Sequence, residues 1–201
     1  MVEKVQITCI ACSVFRPELE YLKKKRLVLL PVRYLDSELH VDPRRLCDHM
    51  VTAIADELAR ERRVLLLFGD CHAHMLDEAS RPGVTRVEGT NCCEIMLGYE
   101  RYRSLRGQNV FFLFPEWAVR WREILSTIGT FDEKSTAELM RESHSKFIYL
   151  DTGVRPVPVD QLKACSAHFC LPWEVLVTPL GPLARAIEDA LEKMGTEELA
   201  R

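Results

Sequence analysis

VLLLFGDCHAHM, residues 64–75, runs from five consecutive apolar residues through Gly-Asp into one cysteine and two histidines within four positions. A short unbroken apolar run that ends on a glycine turn is the pattern of a strand covered on both faces. Similar runs recur at 5–9, 27–32, 84–87, 110–114, 147–150 and 175–178. Between them, helical periodicity marks 17–24, 43–62, 92–103, 116–128, 133–144, 159–168 and 182–194. Asp42 before Pro43 reads as an N-cap with proline at the first helical position, Asp132 caps the segment after it, and Gly181-Pro182 opens the last helix. Fully buried strands separated by helices predict an α/β fold: a mostly parallel sheet with helices on both faces, doubly wound and Rossmann-like. No repeat or flexible linker divides the chain, so a single domain over 1–201 is expected.

With 27 basic and 30 acidic side chains the net charge is −3, which gives no electrostatic footprint for nucleic acid or for an anionic membrane surface. The basic runs at 23–26 and 60–63 sit where helices should end, next to the negative end of the helix dipole. No apolar stretch approaches the roughly 20 residues a membrane span needs, and the first fifteen residues show no export pattern. The expected location is the cytoplasm, where structural disulfides are disfavoured. The eight cysteines are then buried hydrophobes, ligands or nucleophiles.

In a doubly wound sheet, ligands collect at the carboxyl ends of the strands. Cys9 should end the first strand with Cys12 just beyond it, Cys71 follows the 64–68 strand by a Gly-Asp turn, and Cys92 and Cys93 follow the short 84–87 strand. His40 lies after the second strand and can reach the same edge. Thiols converging from three strands suit a zinc ion or an iron–sulfur cluster. Cys9 and Cys12, spaced C-x-x-C, could instead form a redox disulfide. Cys47, Cys93, Cys165 and Cys170 read as packing residues, His49 and His144 as solvated helix residues, and His168 lies off any ligand face. The nucleophile elbow, the phosphate loop and the dinucleotide glycine fingerprint are all missing, and nine glycines leave little material for one.

Three stretches, IACSVFRPEL (10–19), LLLFGDCHAH (65–74) and NCCEIMLGYERY (91–102), followed by VFFLFPEWAVRW (110–121), resemble the archaeal and bacterial family catalogued as domain of unknown function 1638. The resemblance spans 10–121 and fades after Lys146. It puts Cys12, Cys71 and Cys92 on the family's three cysteine positions, with Gly98 and Trp117 in register and His40 on a histidine ahead of the central segment. Asn91 stands where the family has an acid, and His72 where it has a glycine. No activity comes with the resemblance; it implies only an association with methylamine and corrinoid methyl transfer in anaerobes.

The expectation is therefore a metal site of Cys12, Cys71 and Cys92, its fourth position filled by His40, His72 or an exogenous ligand. An iron–sulfur cluster is the first reading and a zinc ion the alternative. Glu94 and Glu116 are candidate acid/base partners at that edge. A small-molecule substrate or a corrinoid protein is the expected partner. Two other readings stand beside this one: thiol redox chemistry at Cys9 and Cys12, and a non-catalytic corrinoid- or partner-binding protein whose cleft is lined by Trp117, Trp121 and Trp173.

Overall fold

The computed structural model describes residues 6–125 and 132–199, the last four as backbone only. Val5, at the start of the first expected strand, and residues 126–128 of the expected 116–128 helix lie outside the described residues. Four strands, β1 (Ile7–Cys12), β2 (Val32–Leu35), β3 (Arg63–Leu67) and β4 (Val84–Arg86), form a parallel sheet in the order β2-β1-β3-β4. Three more, β5 (Val110–Leu113), β6 (Lys146–Asp151) and β7 (Trp173–Val177), form a second parallel sheet in the order β5-β6-β7. Helices flank both, as the α/β reading required, but the ladder is divided into two sheets rather than continuous.

The helices are α1 (Arg16–Lys24), α2 (Pro43–Leu58), α3 (Met75–Ala79), α4 (Cys92–Leu97), α5 (Tyr99–Arg106), α6 (Pro115–Val119), α7 (Trp121–Leu125), α8 (Glu133–Ser143), α9 (Val159–Phe169) and α10 (Gly181–Leu199). The first sheet packs against α2 and α10, and the second against α6 and α9. Strand periodicity divides the core cleanly in β6. Ile148 and Leu150 face the large cluster shared with β1, β3 and α10, whereas Phe147 and Tyr149 face a second cluster with Trp121, Cys165 and Phe169. Phe15, just after β1, meets Phe114, just after β5, edge to face at 5.9 Å, so the two sheets are joined by apolar packing at their carboxyl ends.

Several elements differ from expectation: the 43–62 helix ends at Leu58, the 116–128 helix is divided into α6 and α7, α3 is additional, and three further differences have a local cause. β1 runs on to Cys12, so Cys9 lies mid-strand and Cys12 is the terminal residue. β2 begins at Val32 rather than at Leu27, because Leu27 and Leu29 are 63% and 77% exposed and Pro31, lacking an N–H, stands before the ladder. The expected 92–103 helix is split by Gly98, whose φ of 79° only glycine adopts without strain. Asp42 and Asp132 do cap α2 and α8, accepting from Arg44 and Arg45 N–H and from Ser135 N–H respectively. Arg60 and Arg62 do more than balance a helix dipole: both pair with the buried Glu57, which also accepts from the Thr8 hydroxyl.

Candidate metal centre

Because every strand is parallel within its sheet, the carboxyl ends of β1 to β4 lie along one edge, and each delivers a residue there. β1 ends on Cys12, which is fully buried. β2 leads through Asp36 into a short 3-10 turn, Ser37–Val41, that presents His40. β3 leads through Gly69-Asp70 to Cys71, and β4 leads to Cys92 at the start of α4. One ligand atom from each of Cys12, His40 and Cys92 lies within 4.8 Å of the others, and this group could hold a metal ion. Cys71 stands outside that group but adjoins it, near enough to interact electrostatically with both Cys92 and His40.

Backbone geometry explains why β3 and β4 deliver their cysteines to the same point. The Asp70 N–H donates to the Thr90 carbonyl at 2.9 Å, and Arg86 pairs with the Asp70 carboxylate at 2.9 Å. A Cβ on Gly69 would lie 2.3 Å from the Asn91 Cα, so the FGD turn can approach the 90–91 backbone only without a side chain. Asn91, the departure from the family's acid, caps α4 by accepting from the Glu94 N–H, while Glu94 reaches back to the Thr90 N–H and hydroxyl. That is a reciprocal capping arrangement, and it accounts for Glu94 as a structural residue.

His40 is oriented from behind. Its Nδ1 lies 2.9 Å from the Ser37 carbonyl, which can only accept, so Nδ1 carries the proton and Nε2 presents its lone pair to the thiols. Its ring stacks at 19° over Phe68. Ser37 gathers three strand ends: its N–H donates to Ser13 Oγ at 2.9 Å, its hydroxyl donates to Glu116 Oε2 at 3.0 Å, and its carbonyl holds His40. Glu116 is thus at the expected edge, but it is buried, bonded to Ser37 and paired with Arg120. It acts here as a positioning group. Ser37 escaped the sequence reading; a serine three residues before a histidine in SELH is the one signal that could have pointed to it.

Two of the thiols, Cys71 and Cys92, are raised. Hydrogen bonding to Cys92 and burial hold Cys71 well above the ordinary thiol range, with His40 pulling the other way. The hydrogen bond to Cys12 holds Cys92 well above that range too, and burial and the nearby thiols add to it while Cys71 opposes it. Burial pulls the His40 imidazole down, but Cys71, the Ser37 carbonyl and the Glu116 charge more than offset that, leaving it raised. Thiols held in their protonated form side by side, as Cys71 and Cys92 are, are relieved by a bound cation, which deprotonates a coordinating thiol outright.

Other candidates lie elsewhere. His72 faces the Met50 sulfur through Nε2 at 3.4 Å and accepts from the His74 N–H through Nδ1, so both its ring nitrogens are turned to other partners. The Cys9–Cys12 disulfide is corrected: three residues along a strand span about 10 Å on alternating faces, whereas bridged cysteines need Cα atoms within about 7 Å. Burial pushes the Cys9 and Cys93 thiols up to about 12. Trp117, Trp121 and Trp173 all pack on the cluster behind the second sheet, where Trp121 is 2% exposed against Phe169, and Trp117 also touches the first cluster. His144 is partly buried with its ring edge on Phe111 rather than solvated.

The sequence profile of a family described as a protein of unknown function, DUF1638, matches residues 34–187, well over half of the chain. The chain belongs to the DUF1638 family. The DUF1638 match takes in His40, Cys71 and Cys92, starts after Cys12 and continues well past Lys146, beyond the stretches that carry the resemblance. No curated protein and no solved structure matches the chain. No helix among the described residues is long and apolar enough to cross a membrane.

Glu18 lies behind the same edge, in the first turn of α1. It is fully buried; Oε1 accepts from the Thr152 hydroxyl at 2.9 Å and Oε2 has no partner. Burial pushes its carboxyl up to about 7, against the Thr152 hydrogen bond and the Arg155 charge. The folded state therefore holds this proton more tightly than the unfolded chain. Its contribution is fully present below about pH 4 and is lost as the pH rises towards 7, a decline of about 3 kcal/mol by pH 8. Glu18→Gln, which keeps the acceptor for Thr152, is expected to flatten urea-derived stability between pH 5 and 8 and to raise it at pH 8 by about 1–3 kcal/mol. An unchanged pH slope in the variant would show that Glu18 ionises freely.

Proposed function

We propose that this protein is a metalloprotein whose centre is a single ion, best matched by zinc, held by Cys12, Cys92 and His40 Nε2, with Cys71 at the fourth position. The observation that carries this reading is the mutual 4.8 Å limit on the three ligand atoms. Sulfurs bound at about 2.3 Å to one tetrahedral ion lie about 3.8 Å apart, whereas cysteines on an iron–sulfur cluster bind separate irons and stand further apart. The donor chemistry agrees: two or three thiolates and a neutral imidazole with a fixed tautomer make a borderline-soft set suited to zinc.

Cys71 differs from the other ligands in one respect. It lines an open cavity of about 530 Å³ together with Pro43, Asp70 and Leu76, so it is the member of the set that a small molecule can approach. We infer a reactive rather than purely structural centre, in which Cys71 either yields its position to substrate or stays bound as a nucleophilic thiolate. Zinc in such a site would act as a Lewis acid towards a bound thiol or water. The chain's own contribution is to bury Cys12, fix the imidazole through Ser37 and leave the Cys71 side open. A link to one-carbon or corrinoid metabolism rests on the family resemblance alone.

Metal analysis of anaerobically purified protein tests this directly. About one zinc per chain with no visible colour is the expected result. Iron with inorganic sulfide and a brown absorbance near 400 nm would replace the single ion with a cluster, and fully reduced protein without any metal would remove the reading altogether.

A further inference from the structure

A second cavity opens beside Ser13, the residue after Cys12, among loops that follow strands of both sheets. It has a volume of about 270 Å³, and its wall includes Ser13, Arg16, Asp36, Glu116, Arg120 and Arg155. Ser13 follows Cys12 directly, Asp36 follows β2, Glu116 lies in α6 just after β5, and Arg155 lies in the loop after β6. The cavity therefore sits at the carboxyl ends of strands from both sheets, the position where α/β folds bind their ligands.

The polar groups of this wall fall into two sets. Asp36 and Glu116 are engaged: Asp36 caps the Ser37–Val41 turn and pairs with Arg120, while Glu116 takes the Ser37 hydroxyl and Arg120. Arg120 in turn is shared among Asp36, Glu38, Glu116 and Glu123. Arg16 and Arg155 are different, since neither has an ion-pair partner among the described residues. The Arg16 guanidinium carbon lies 4.5 Å from the centroid of the Tyr34 ring, a contact that supplies no counter-charge. Arg155 bears electrostatically on buried Glu18, a carboxyl whose burial favours its neutral form, and on the Tyr149 phenol. The Ser13 hydroxyl is 3% exposed and already accepts from the Ser37 N–H, so its own O–H remains to be given.

We propose that this cavity seats the carboxylate or phosphate group of a small anionic ligand, held by Arg16, Arg155 and the Ser13 hydroxyl. Guanidinium forks bind either oxyanion in the same bidentate manner. The volume falls just below the roughly 300–1,000 Å³ of drug-sized ligand pockets, so the ligand is compact, a small organic acid or phosphate ester rather than a dinucleotide or a corrinoid. As a substrate seat the cavity rests on the metal-centre reading, one residue away at Cys12; as an anion site it does not.

Isothermal titration of the full-length zinc-loaded protein with inorganic phosphate and, separately, with succinate tests the proposal and distinguishes the two oxyanion types. Saturable one-to-one binding of at least one probe is expected, weakened tenfold or more by Arg155→Gln and by Arg16→Gln at unchanged zinc content. Arg44→Gln, on the exposed first turn of α2, should leave binding as it was. Cys92→Ser should lose metal yet still bind the anion, so that failure of one site is not mistaken for failure of the other. Both arginines are exposed, and an unchanged circular dichroism spectrum would verify that their variants fold. Absence of saturable binding by either probe, or binding that survives both arginine substitutions, would overturn the proposal.

Discussion

Replacing Cys92 by serine is expected to weaken zinc binding by about 10²–10³-fold, as measured by competition with a chromogenic chelator, and Cys12→Ser and His40→Ala should do the same. The magnitude follows from sharing the roughly 10–16 kcal/mol of a four-ligand zinc site among its ligands. Glu116→Gln acts one step further out, through the Ser37 hydroxyl and carbonyl, and should cost about tenfold, within the range for groups that orient ligands. Cys165 lies in the cluster behind the second sheet and Cys9 in the middle of β1, so serine at either position should leave zinc affinity unchanged. Cys71→Ser divides the two forms of the proposal. A loss equal to that of Cys92→Ser makes Cys71 a full ligand, and a loss near tenfold leaves the fourth position to substrate. Equal zinc loss on replacing Cys165 would instead show that the wrong sulfurs had been chosen.

The second large effect is expected at Gly69, whose carbonyl accepts from the Cys71 N–H at 2.9 Å. An added methyl would meet the Asn91 Cα at 2.3 Å, its N at 2.7 Å and the Thr90 carbonyl at 2.8 Å, all of them backbone atoms that cannot swing aside. Gly69→Ala must therefore push the FGD turn away from the 90–91 segment, at a cost of about 3 kcal/mol of unfolding free energy. The same displacement separates Cys71 from Cys92, so zinc affinity should fall along with stability. Urea unfolding in the presence and absence of chelator separates the two effects. A variant of wild-type stability and affinity would mean that this close approach is not what joins the sulfurs.

How far the sequence could be read depended on what each signal reports. The 64–68 run is apolar without interruption because β3 is central and covered on both faces, and it was placed within a residue of its true position. Leu27 and Leu29 carry the same apolar letters on an exposed loop, which periodicity over so few residues cannot tell from a strand. α3, five residues long, is too short to show a period at all. For the site, the strand-end argument points to one edge for Cys12, Cys71 and Cys92, and the group that the structure brings within ligand reach is Cys12, Cys92 and His40. The choice of Cys12 over Cys9 came from the family pattern, and the extra strand length explains it, since Cys9 lies mid-strand in the core. Spacing left both His40 and His72 open as the fourth ligand, and the family pattern carries a histidine only at His40. That choice was made by tertiary contacts: the Ser37 carbonyl turns one imidazole towards the sulfurs, and Met50 and the His74 N–H engage the other.

The central claim is that one ion is bound by sulfur and imidazole nitrogen together. X-ray absorption at the zinc edge of the purified protein measures this most directly. Two or three sulfurs at about 2.3 Å and one imidazole nitrogen at about 2.0 Å, the nitrogen lost in His40→Ala, is the predicted result. A shell of oxygen and nitrogen without sulfur, or a nitrogen contribution that persists in His40→Ala, would contradict it.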